Sequence, residues 1–118
     1  MTPATDDAGP EPRKPTILAD GAAVDAFVAA NRLALVELYT SGCGICASME
    51  PVLGIVAKAS DAAVGLVNAG DDLDLAARFS VRSVPTLLLF EDGELIERWE
   101  SGFVGADVLI EAIADRSG

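Results

Sequence analysis

The sequence predicts an α/β fold in which a central mixed sheet is flanked by helices on both faces. Two near-continuous apolar runs, residues 33–39 and 86–90, suit strands buried on both sides. Stretches with helical apolar spacing separate the early strands, so those strands should pair in parallel through crossovers. Late in the chain Asp92-Gly93 sits between two strand-like runs, a hairpin signal that adds an antiparallel pair.

Each element has its own signal. Residues 1–15 hold four of the six prolines and almost no large apolar side chain, so a disordered tail is expected before one folded domain over 16–118. Thr16-Ile17-Leu18 is a short first strand. Asp20 opens a helix with Val24, Phe27 and Val28 on one face, and Asn31 stops it. The strand over 33–39 runs into Thr40-Ser41-Gly42-Cys43-Gly44-Ile45-Cys46. A helix to about residue 59 follows, with Met49, Val52, Leu53 and Val56 toward the core. Pro51 lies inside it and cannot donate to the carbonyl of Ala47, which predicts a kink. Residues 64–68 form a short strand, and 73–79 a short helix after the acidic loop Gly70-Asp71-Asp72. Pro85 precedes the strand over 86–90, and residues 95–101 return as its hairpin partner. The last helix spans 106–115, with Val108, Leu109 and Ile113 inward. No internal repeat is visible.

A chain of 118 residues with 51% apolar residues can bury one sizeable core, and with only 5% aromatics that core rests on Leu, Val, Ile and Ala. Eight basic and nineteen acidic residues give a formal net charge of −11. Such a surface repels phosphate, which argues against nucleic acid and against anionic membranes as partners. No segment approaches the ~20 apolar residues that cross a bilayer. The absence of histidine rules out a Ser-His-Asp triad, a Cys-His pair and a histidine-ligated zinc within the chain. The first residues carry neither early basic charge nor an apolar h-region, so they do not read as a secretory signal, and the expected compartment is the cytoplasm. There, a lone Cys-x-x-Cys points to catalysis or metal binding rather than to a structural staple.

Cys43 and Cys46 are the only cysteines. They fall where an apolar strand gives way to a helix, and free N–H groups at a helix start favour a thiolate. A reversible dithiol/disulfide is the leading reading. Two inert core cysteines are the bland alternative, and a zinc site would need ligands from a second chain.

The element order, the Cys-x-x-Cys at the second strand-to-helix junction and Val84-Pro85-Thr86 before a late strand together resemble the thioredoxin family, over roughly residues 16–118. Cys43 and Cys46 match the family's redox pair and Pro51 its kinking proline. Pro85 matches its cis-proline, Gly93 its hairpin glycine, and Gly102 the glycine after the last strand. There are departures. Gly42 stands where the family usually has Trp, and Gly44-Ile45 where it has Gly-Pro. Ala47 replaces a basic residue, Glu37 a buried Asp, and Leu66 the Lys that neighbours that acid.

The resemblance implies a thiol–disulfide oxidoreductase that reduces protein disulfides and is supplied with electrons by a reductase; no metal or organic cofactor is implied, and with nothing in the sequence to suggest an obligate dimer a monomer is expected. Cys43 would be the nucleophile and Cys46, one turn further in, the resolving thiol. Because no Lys or Arg lies between Arg32 and Lys58, the helix terminus and Cys46 must stabilise the Cys43 thiolate. Glu37, a charge in an apolar strand, would shuttle the Cys46 proton if buried; otherwise it faces solvent. A cis bond before Pro85 would bring Val84 beside Cys43 and free its backbone to pair with an extended substrate. Gly42, Ile45, Val84, Pro85, Gly102 and Phe103 would surround Cys43 as a small apolar substrate platform. Trp99 reads as packing, and Asp71, Asp72 and Asp74 as a solvated loop rather than a calcium site. The departures leave two alternatives open: a redox-inactive binding or chaperone-like module on the same fold, and a thiol oxidase or isomerase.

Overall fold

The computed structural model describes residues 13–100 and 102–117. The expected tail therefore lies outside the described residues except for 13–15, where Arg13 donates to the Asp61 carbonyl over 3.0 Å. The elements run β1 (Thr16–Leu18), α1 (Gly21–Ala30), β2 (Leu33–Tyr39), α2 (Gly44–Ala59) and β3 (Ala63–Asn68). A 3-10 turn (Ala69–Asp71) leads to α3 (Leu73–Arg78), β4 (Thr86–Glu91), β5 (Glu94–Trp99) and α4 (Ala106–Ser117). The expected order holds, although β5 stops at Trp99, two residues short of the expected end.

The sheet order is β1-β3-β2-β4-β5. β1 and β2 both pair with β3 in parallel, while β4 pairs antiparallel with β2 and β5. The mixed sheet follows from the connections, since a helix bridges β2 to β3 and a two-residue turn joins β4 to β5. Asp92 and Gly93 in that turn take φ of 52° and 84°, both left-handed, which is why an Asp-Gly pair suits it.

Period-two alternation divides the core in two. Leu33 and Leu35 of β2, with Leu87 and Leu89 of β4, pack under α2 and α4 beside Met49, Leu53, Leu109 and Ile113. Ala34, Val36 and Leu38 face the other way, toward Val24 and Val28 of α1 and Leu75 of α3. Residue 37 falls on the α2 side by the same alternation, so the strand that builds the core also carries an acid beneath the helix of the cysteines. Val108 departs from expectation, being 46% exposed. Leu109 and Ile113, four residues apart, already define the buried stripe of α4, and Val108 lies one residue off it. Trp99 is half-buried against the α2–α4 side of the core, as expected of a packing residue.

Candidate active site

β2 ends at Tyr39, and the chain turns through Ser41-Gly42 into α2. Gly42 takes φ of 81°, a left-handed conformation that favours glycine. Cys43 is the N-cap of α2, and its Sγ accepts the Cys46 N–H over 3.1 Å. An N-cap sulfur sits where the helix leaves N–H groups without carbonyl partners, so negative charge there is favoured. The donor is the Cys46 amide. Cys43 is partly exposed and Cys46 is 5% exposed, and the two are joined as a disulfide. Gly44 through Ala59 continue as one helix with Pro51 inside it, its side chain exposed.

The Val84–Pro85 peptide bond is cis. Cys43 Sγ lies 4.0 Å from the Val84 carbonyl oxygen, so the expected juxtaposition is present. Thr86 holds this loop from behind: its buried hydroxyl donates to the Ser83 carbonyl over 2.7 Å, and Ser83 Oγ donates to the Glu100 carbonyl over 3.1 Å. The Val104 N–H meets Met49 Sδ at 3.4 Å, which ties the loop of Gly102 and Phe103 to α2. Gly42, Ile45 (48%) and Phe103 (56%) are exposed, Val84 and Gly102 are half-buried, and Pro85 is buried.

Glu37 is 1% exposed, which excludes the solvent-facing alternative. In register it stands opposite Leu66 on β3 and Leu87 on β4, so neither neighbouring strand supplies a cation. Among the described residues its Oε2 has no hydrogen-bond partner. Burial, with a smaller contribution from the Glu50 carboxylate, pushes its carboxyl up to about 7. Glu37, Cys43, Cys46 and Glu50 line one pocket of about 670 Å³, together with Tyr39, Leu66 and Gly54. Glu50 was not among the sequence candidates, because a charged residue on an exposed helix position reads as ordinary surface.

The other acids behave differently. Asp72 caps α3 through the Leu75 N–H (3.0 Å) and also accepts the Gly21 N–H at the start of α1 (2.9 Å). Among the described residues no group of three or more acids or cysteines is placed to hold a metal ion.

The chain is similar to known proteins. The family model described as Thioredoxin matches residues 16–115. A thioredoxin from Chlamydia caviae is 35% identical over 94 residues, 79% of this chain and 90% of that protein. A thioredoxin from Mycobacterium bovis is 32% identical over 90 residues, 75% and 77% of the two chains. A solved structure of a mutant thioredoxin from Halobacterium salinarum superposes with a TM-score of 0.86 at 32% identity, over 94% of this chain and 97% of that one.

Proposed function

Since the chain belongs to the thioredoxin family and is a thiol–disulfide oxidoreductase, we propose that Cys43 attacks disulfides of protein substrates and that Cys46 resolves the intermediate. The Cys43 thiolate bonds to one substrate sulfur, and the other leaves as a thiolate that takes up a proton. Cys46 loses its proton to Glu37 and attacks Cys43 Sγ. The bond to the substrate breaks and the second substrate thiol is released. The electron pair that reduces the substrate comes from the two cysteines, which end as the disulfide.

The observation that carries this assignment is the difference between the two sulfurs. Cys43 is the partly exposed N-cap, served by the Cys46 N–H, whereas Cys46 is buried one turn inside α2. A carboxyl that titrates at about 7 in the same pocket is matched to taking a thiol proton near neutrality. The Val84 backbone beside Cys43 would pair with an extended substrate segment held before Pro85, and Gly42, Ile45, Gly102 and Phe103 would give it an apolar seat. A reductase partner would restore the dithiol. We place the protein in the cytoplasm as a monomer; no described helix is long and apolar enough to cross a membrane.

Insulin reduction driven by dithiothreitol tests this reading. The chain should accelerate precipitation well above the reagent alone, and Cys43→Ser should return it to background. A wild-type chain at background would mean a binding module instead. A reduction potential above that of the glutathione couple would reverse the direction of exchange.

A further inference from the structure

The pocket beside the cysteines contains more than the exchange reaction uses. It borders the proposed substrate platform at Gly42 and Cys43, but Ile45, Val84, Pro85, Gly102 and Phe103 do not line it, so most of its wall lies off that platform. Its walls include Ile17, Tyr39 and Leu66, and its polar charge comes from Glu37 and Glu50. Glu37 is 1% exposed with an unpartnered Oε2. Among the described residues no Lys or Arg lines the cavity, and the ion pairs engage Glu91, Asp25 and Glu100 instead. A buried acid lacking a donor is costly, and a second acid beside it adds repulsion. An apolar-walled cavity of ligand size that ends on two carboxyls is complementary to a cation carried on an apolar stem.

We infer that this pocket is a binding site for a small organic cation, a primary ammonium on a short aliphatic stem, seated beside the surface that docks protein substrates. The stem lies along Ile17, Tyr39 and Leu66, and the ammonium donates to Glu37 and Glu50. A bound cation favours the carboxylate form of Glu37. The same ligand therefore biases the group that receives the Cys46 proton, and the site couples occupancy to the second exchange step.

Calorimetric titration of the oxidised full chain with n-pentylammonium at pH 8, with n-pentanol as the neutral counterpart, tests the site. Saturable ammonium binding is expected, with pentanol and Glu50→Gln each weaker by about ten-fold, the scale of a hydrogen bond to a charged group. Gly54→Leu supplies a variant with both acids intact. A Cβ at Gly54 meets nothing within 4 Å, and leucine suits a helix better than glycine, so the variant folds while its side chain fills the cavity. It should abolish binding. Absence of saturable binding, equal affinity for amine and alcohol, or unchanged binding in Gly54→Leu would overturn the proposal. The protein stays oxidised throughout, so this result and the insulin assay fail independently.

Discussion

Glu37 and Asp72 carry the same functional group, yet their surroundings drive them in opposite directions. Glu37 sits mid-strand under α2 with an unpartnered oxygen and Glu50 nearby, and its carboxyl is pushed up to about 7. Asp72 stands at the start of α3, where the Leu75 and Gly21 N–H groups hold its carboxyl below the usual range. Backbone donors stabilise the charged form, and burial without them stabilises the neutral form. One acid is thereby fitted to exchange a proton near neutral pH, while the other stays charged and joins the starts of two helices.

The contrast can be broken at either end. The largest effect is expected at Glu37. Glu37→Gln should slow release of the mixed disulfide near neutral pH on the order of 10²-fold, the usual scale for a lost proton acceptor. Rapid-quench trapping of the intermediate measures it, and Asp72→Asn should leave that rate unchanged.

Stability should follow the same division. Between pH 4.5 and about 7 the folded chain keeps a proton on Glu37 that the unfolded chain has released. Its contribution is fully present below pH 4.5 and is lost as pH rises through about 7, amounting to at most about 3 kcal/mol. Denaturant unfolding across that window should show the decline, and Glu37→Gln should flatten it. Asp72 has the opposite sign. Its contribution holds above the ordinary Asp value of 3.8 and fades as pH falls through its lower folded value.

A smaller loss is expected from Asp72→Ala, which removes the partner of N–H groups on both α1 and α3. Its melting temperature should drop by a few degrees, and Asp72→Asn should recover part of it. The smallest effect belongs to Glu50→Gln. Carbon-13 NMR of the Glu37 carboxyl should show titration below about 7 but still above 4.5, because burial rather than Glu50 is the main cause of the shift.

The same pair marks what was legible in the sequence. Strands β2 and β4 were plain because both of their faces are buried, and such strands read as unbroken apolar runs. The cysteine turn, Pro85 and Asp92-Gly93 were plain because each meets a local backbone or chemical requirement. The apolar neighbours of Glu37 left burial and solvent exposure both open, and only its match to the family's buried acid favoured burial. The resemblance already set Leu66 beside it in place of a Lys, and the strand register pairs the two. Glu50 gave no signal, since its approach to Glu37 depends on how α2 lies over β2. Asp72 read only as part of a solvated acidic loop; its cap on α3 and its bond to Gly21, 51 residues away in the chain, came from the structure. Val108 was misplaced because hydrophobicity alone does not mark the edge of a buried stripe.

Trapping the mixed disulfide tests the division of labour between the two sulfurs most directly. Cys46→Ser, reduced and mixed with a disulfide-bonded protein, should accumulate a covalent adduct that mass spectrometry maps to Cys43, while Cys43→Ser should form none at a comparable rate. An adduct that builds up on Cys46 in Cys43→Ser, with Cys46→Ser unreactive, would contradict it.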